Sequence, residues 1–274
     1  MMWIKRMAPR AAGLVRPLVS LVMPETCWGT GEPLHEDEQA LSEVARRQIA
    51  AALLGSYCGQ CGLTAAPDSR YDAGNPCPKC STRDLGLERI VRVGTFVEPL
   101  SVLVKTLKFH RRWEVARVIA PFIVQAMHLA THDQRLAPVD LLVPVALHWR
   151  RQWQRGFNQS EEIAREVGRL GHWPVGNYLW RRRATLEQSH TQSATQRRAN
   201  LRAAFLCSRP ERVAGKHVWL MDDVCTTGAT LHAAAMALRR LPKGQRPAGI
   251  YAAVLCVTDH TPLPLQEGAA GEDA

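Results

Sequence analysis

Asp222 and Asp223 stand side by side at the end of an apolar run, Val218-Trp219-Leu220-Met221. They are followed by Val224, Cys225, Thr226, Thr227, Gly228, Ala229 and Thr230. A buried strand that feeds a tight loop and a helix start makes an anion site, because loop N–H groups and the helix dipole face the same point. Thr226, Thr227 and Thr230 add hydroxyl donors, and Gly228 lets the backbone come close without a Cβ. Two carboxylates cannot themselves ligate a phosphate. They suit the hydroxyls of a sugar that carries the phosphate, or a Mg²⁺ that bridges to it. An acidic pair at a buried strand end is costly without such a partner. That cost argues against an ordinary strand-loop-helix junction with a capping Asp. The segment lacks the Gly-x-x-x-x-Gly-Lys frame of a Walker loop.

A second chemistry lies upstream. Cys58-Gly-Gln-Cys61 and Cys77-Pro-Lys-Cys80 are two C-x-x-C knuckles with 15 residues between them. That spacing suits a tetrahedral Cys₄ site holding a structural Zn²⁺. A ribbon this small holds no core, so the metal would supply its folding energy. Disulfides and a redox C-x-x-C are the alternatives; paired knuckles without a secretory signal favour zinc. Cys27-Trp28-Gly29-Thr30 resembles a third knuckle with Thr30 in the second cysteine position, and His35 is its one distant candidate partner. Two ligands do not close a structural site, so Cys27 reads as a lone thiol. Cys207 and Cys256 read as core residues, and Cys225 as a passive filler of the loop.

The net charge is +10, and one segment carries it all: residues 105–202 hold 17 Lys/Arg against 7 Asp/Glu, and the rest balances at 18 against 18. Such an excess suits a polyanion, either a pyrophosphate-bearing sugar or nucleic acid. A solvated basic face is the plain alternative. No apolar run reaches 18 residues, so no membrane span is expected. Residues 1–23 lack the continuous apolar stretch of a signal peptide and read as an amphipathic leader helix, which implies a cytoplasmic protein.

These residues need elements to position them. The pattern predicts helices over 36–54, 99–107, 115–129 (interrupted at Pro121), 159–170 (with Ser160 as a cap) and 231–241. It predicts strands over 90–97, 141–145, 178–182, 203–206, 218–221 and 249–257. Residues 184–200 carry no apolar periodicity and read as loop. Alternation of strand and helix implies an α/β fold with a parallel sheet, in which ligands sit at the carboxyl ends of the strands. The expected division is a leader and helical region at 1–54, a zinc ribbon at 55–88, an α/β domain at 89–258 and a disordered tail at 259–274.

The Asp222–Thr230 segment resembles the PRPP-binding motif of type I phosphoribosyltransferases, with every fixed position present. Two further segments resemble a narrower group, the ComF-like proteins, which join a zinc ribbon to such a domain. They are Pro144-Val145-Ala146 through Arg155-Gly156-Phe157-Asn158-Gln159-Ser160, and Arg183 through Phe205. Leu107-Lys108-Phe109-His110-Arg111-Arg112 is similar to that family's helix end. Ala146 departs from the family's usual second proline.

The resemblance implies that Asp222 and Asp223 hold ribose hydroxyls as the catalytic pair. Residues Val224 to Thr230 would cradle the 5′-phosphate. Val145, Ala146, Arg150, Arg151 and Arg155 would bind pyrophosphate. Thr185, Gln188, Arg197 and Asn200 would belong to a closing lid. Mg²⁺ would accompany PRPP, and transfer would occur at ribose C1. The resemblance also implies a link to DNA uptake, with single-stranded DNA and a competence helicase or other uptake proteins as partners. Two other readings stand beside it: a nucleotide-salvage or amide-transferring enzyme, and a non-enzymatic single-stranded DNA adaptor. In the adaptor, Lys105, Lys108, Arg111, Arg112 and Arg181 to Arg183 would carry the strand. Trp149, Trp153 and Phe157 are spaced so that they could stack bases, though such spacing more often means packing.

Overall fold

The computed structural model describes residues 25–66, 76–80, 85–109, 112–133, 136–147, 153, 156–181 and 204–259. The segments expected to form an amphipathic leader (1–23) and a lid (184–200), and most of the expected tail, therefore lie outside the described residues. So do Trp149, Arg150, Arg151 and Arg155.

Four strands form one parallel sheet: β1 (Arg89–Thr95), β2 (Leu141–Pro144), β5 (His217–Cys225) and β6 (Gly249–Val257), in the order β1-β6-β5-β2. The two central strands are apolar along most of their length and buried on both faces, as a covered parallel sheet requires. Helices α1 (Glu43–Leu53), α2 (Leu100–Phe109), α3 (Val115–Asp133) and α4 (Gln159–Gly171) share a core with Trp219 and Met221 on one face. The short α5 (Pro210–Val213) and α6 (Ala229–Arg239) pack with Val218 and Leu220 on the other. This alternation follows from the two-residue period of a strand. Trp219 is fully buried and stacks on Tyr251, with ring centroids 4.9 Å apart. The expected α/β class, a parallel sheet flanked by helices with an N-terminal cysteine cluster, is what the chain forms.

The elements differ from the sequence reading in several places. The helix expected over 36–54 starts only at Glu43. Ala40 takes a left-handed φ of 60°, and Ser42 caps the first turn by accepting from the Ala45 N–H at 3.3 Å. Pro121 does not interrupt α3, which runs unbroken over 19 residues. Its ring is exposed, and the carbonyl it leaves unbonded, that of Arg117, is on an exposed residue where water can reach it. The strand expected over 218–221 continues through both aspartates to Cys225, because β6 pairs with it as far as Val257. The segment at 203–206 supplies β4 (Phe205–Cys207), which pairs antiparallel with β3 (Leu179–Arg181) in a separate two-stranded sheet. Cys256 is a core residue as expected, but Cys207 is only half-buried. Among the described residues, no helix is long and apolar enough to cross a membrane.

Candidate functional site

β2 and β5 are parallel neighbours, so the residues that follow them meet at one edge of the sheet. The N–H of Val145 donates to the Met221 carbonyl at 2.9 Å, which places the start of the Val145–Ala146 turn beside the acidic pair. Asn158, buried at the N-terminus of α4, donates through Nδ2 to the Val145 carbonyl at 3.3 Å and so fixes that turn. After β5 the chain passes through exposed Thr226 and Thr227 to Gly228, the N-cap of α6. Gly228 has φ 71°, and a Cβ there would lie 2.9 Å from Leu85. No side chain caps this turn from the N-cap position, and Thr227 Oγ1 accepts from the Ala229 N–H at 3.4 Å. The chain therefore runs from the carboxyl end of β5 through this loop into a helix start, the kind of junction at which an anion is favoured.

The acidic pair lies within the strand, and alternation sends the two carboxylates to different partners. Asp222 Oδ1 accepts from Ser160 Oγ–H at 2.9 Å and from the Asp223 N–H at 2.9 Å. Ser160 is therefore not the helix cap suggested by its position. Its hydroxyl is turned across to β5, and Asn158 occupies the cap position without a capping side-chain bond. Asp223 Oδ2 pairs with the ammonium of Lys108, in the last turn of α2, at 2.9 Å. Asp222 keeps a little exposed surface, yet protein atoms crowd its carboxyl. That burial, and then the Asp223 charge, push it up to about 7, against the pull of Ser160 and Lys108. Asp223 is thus the member of the pair that meets Lys108, and Asp222 the member that meets Ser160.

The four cysteines of the ribbon converge. Their Sγ atoms all lie within 4.8 Å of one another: Cys58 to Cys80 is 3.8 Å, Cys61 to Cys77 3.6 Å and Cys77 to Cys80 3.7 Å. Four thiolates around zinc at about 2.3 Å stand about 3.8 Å apart, so this set fits the ion. The thiols also divide their protons unequally. Hydrogen bonding with Cys61 brings Cys58 down to about 4 despite its burial, while the same bond and burial hold Cys61 far above the usual thiol range. Burial pushes Cys80 up to about 12. A divalent cation is what allows so crowded a set to ionise together.

The ribbon is seated on the sheet. The Ile90 N–H donates to the Gly59 carbonyl at 2.7 Å, and the Thr64 N–H to Asp259 Oδ2 at 2.7 Å. Buried Arg92 donates to Thr64 Oγ1 at 2.9 Å. Gly62, with φ 77°, brings the knuckle so close that a Cβ would lie 2.7 Å from Val257.

The structure thus gathers Val145, Ala146, Asp222, Asp223 and the 224–230 loop at one edge. Arg150, Arg151 and Arg155, expected at pyrophosphate, and Thr185, Gln188, Arg197 and Asn200, expected in a lid, lie outside the described residues. Sequence reasoning gave Ser160, Asn158 and Lys108 no role at the acidic pair. The signal for the first two was present in the Phe157-Asn158-Gln159-Ser160 run; for Lys108 nothing local pointed to Asp223. Lys108 is also withdrawn from the basic face expected to hold DNA. On that segment Arg117, Arg165 and Arg169 are paired with Glu166, with Glu161 and Glu162, and with Glu166 respectively. Phe157 packs against the core, whereas Trp153 is 84% exposed.

No protein-family model matches the chain. Among curated proteins it is 37% identical over 225 residues to the DNA utilization protein YhgH of Salmonella typhimurium, covering 80% of this chain and 93% of that one. It is 31% identical over 212 residues to competence protein F of Haemophilus influenzae, covering 76% and 88%. It is 27% identical over 196 residues to competence protein ComFC of Bacillus subtilis, covering 70% and 75%. A solved structure titled as an analysis of an invariant aspartic acid in HPRTs, an asparagine mutant, covers 56% of this chain and 72% of that one. Its identity is 16% and its TM-score 0.33, too slight a likeness to carry an argument.

Proposed function

The chain belongs to the ComF family, that of competence protein F and the DNA utilization protein YhgH, and from that premise we propose that it is a PRPP-binding, phosphoribosyltransferase-like protein serving DNA uptake. One observation carries the reading: an acidic pair near the carboxyl end of a central parallel strand, with a short loop leading from it to a glycine-capped helix start. Few ligands need both halves. The helix start takes a phosphate, and the carboxylates take neutral hydroxyls a few ångströms away. A sugar phosphate supplies both.

In this reading the Thr226–Thr230 loop holds the 5′-phosphate through its N–H groups and hydroxyls. Asp223 and Asp222 accept from the ribose hydroxyls, and Ser160 keeps the Asp222 carboxyl turned toward them. The turn after Val145, pinned by Asn158, presents the backbone N–H of Ala146 to pyrophosphate, that of Val145 being held by Met221. Arg150, Arg151 and Arg155 add charge there, and the lid at 184–200 excludes water. The donors at the pair are carboxylate oxygens, which suit Mg²⁺. They are too few for an all-protein cage, so the ion would arrive with the pyrophosphate and neutralise it. Zinc in the ribbon is structural. Cytoplasmic residence, single-stranded DNA and uptake proteins as partners belong to the same proposal.

Calorimetry with PRPP and Mg²⁺ tests it. The wild type should bind, and Asp222→Asn with Asp223→Asn should lose at least tenfold in affinity while staying folded, since the relief of like-charge repulsion offsets part of the lost Lys108 pair. Equal affinity in the two proteins would refute the placement. Binding should also strengthen from pH 6 to pH 8. The raised Asp222 group is largely protonated below about 7 and gains its acceptor charge above it.

A further inference from the structure

We propose that Lys108 is an exchangeable counter-ion: it holds Asp223 while the site is empty and moves to the pyrophosphate oxygens when the phosphorylated sugar binds. The inference rests on the reading of the site given above and adds a residue to it. Lys108 ends α2, and its side chain is only 21% exposed; that of Asp223 is 9% exposed. A buried carboxylate beside a second one is costly without a cation. Ribose hydroxyls are neutral and cannot supply that charge. A ligand that brings a divalent cation can, and it frees the ammonium in doing so. Lysine suits such a transfer. Its charge is compact, its donors rotate, and its four-carbon stem lets the head move while the helix stays fixed. The Val145–Ala146 turn lies beside the same strand end, so the head need travel only a short way to meet pyrophosphate.

The exchange has a signature that a purely structural lysine would lack. Lys108 competes with a bare metal ion for Asp223 but cooperates with the metal–pyrophosphate ligand. Two titrations read it: Mn²⁺ alone, followed by its electron spin resonance, and PRPP with Mg²⁺, followed by calorimetry. Lys108→Met should bind Mn²⁺ several-fold more tightly and PRPP about tenfold more weakly, and Lys108→Arg should recover most of the PRPP affinity. Should Lys108→Met fold poorly because Asp223 is left unpaired, the Lys108→Met/Asp223→Asn double variant removes that strain. Compared with Asp223→Asn alone, it should still lose several-fold in PRPP affinity, because the lost contact is with the ligand. No further loss on the Asp223→Asn background would overturn the proposal, as would Mn²⁺ and PRPP affinities that move together. A wild type that binds PRPP while Lys108→Met binds it equally well sinks this inference alone. A wild type that binds no PRPP sinks the functional reading and this inference with it.

Discussion

Residues 25–34 and 56–65 fold alike and live by different chemistry. The N–H of Cys27 donates to Glu32 O at 2.7 Å and that of Cys58 to Leu63 O at 2.9 Å. Gly31 donates to Cys27 O at 2.8 Å as Gly62 does to Cys58 O at 2.7 Å. Leu34 closes on Glu25 O at 2.7 Å as Ala65 closes on Ser56 O at 2.9 Å. The bridges Thr26–Pro33 and Tyr57–Thr64 match, and Gly31 and Gly62 share φ values of 78° and 77°. Thr30 stands where the second knuckle has Cys61. The first loop is thus a metal knuckle in backbone only. Its Cys27 sulfur accepts from the Ser42 N–H at 3.4 Å and contacts Ser42 Oγ at 3.6 Å, and Ser42 begins α1. Cys27 is 2% exposed and belongs to the main core, as do Leu41, Ala45, Ile49 and Leu53. The four ribbon cysteines form a cluster of their own, with Leu63 beside them. Where a core can receive the knuckle, packing and hydrogen bonds replace the ion. Where none can, four thiols gather at the spacing an ion would need.

The largest effect that tests this contrast is at the ribbon. Cys58→Ser with Cys77→Ser should drop bound zinc from one per chain to none and open residues 55–88 to protease. A structural zinc contributes about 10 kcal/mol or more of apparent folding energy to so small a unit. The far-UV spectrum of the sheet domain should persist. Zinc content unchanged by elemental analysis would break the assignment of the metal to this cluster.

A smaller effect is expected at the first knuckle. Cys27→Ala removes a buried thiol and its hydrogen bonds, worth about 1–3 kcal/mol in a denaturant titration. Zinc content should stay at one per chain. A fall in zinc with Cys27→Ala would show that the two knuckles share a metal, and the contrast between them would fail.

The smallest effect concerns acidity. Burial raises the Cys27 thiol, but hydrogen bonds from Thr30, Ser42 and Gly29 outweigh it and bring the group down to about 7. A group depressed in the folded state adds stability above its unfolded value, near 9, and loses that stability as pH falls through about 7. The melting temperature of wild type minus that of Cys27→Ser should therefore widen from pH 6.5 to pH 9. A flat difference would mean that the thiol stays protonated and packs as an ordinary apolar group.

Local chemistry was legible in the chain alone. Paired C-x-x-C spacing announces a four-thiol cluster, and an acidic pair before Thr-Thr-Gly announces a strand, a tight turn and a helix, because turn residues and ligand spacing act over a few positions. The parallel α/β class followed from the alternation of elements. Local signals misled where a single residue was read for itself: Pro121 does not end its helix, standing on an exposed face where the lost bond costs least, and Ser160 caps nothing because a carboxylate 62 residues away claims its hydroxyl.

Only the tertiary structure decided which partner each aspartate keeps. The two-residue period of β5 separates Asp222 from Asp223, and α4 and α2 then deliver Ser160 and Lys108 to them. It also decided what the Cys27 sulfur meets, which is Ser42 and the core beneath it. Sequence spacing fixes what one short segment can offer. Charge compensation and burial depend on what distant segments bring to the same few ångströms, and only the packed chain sets that.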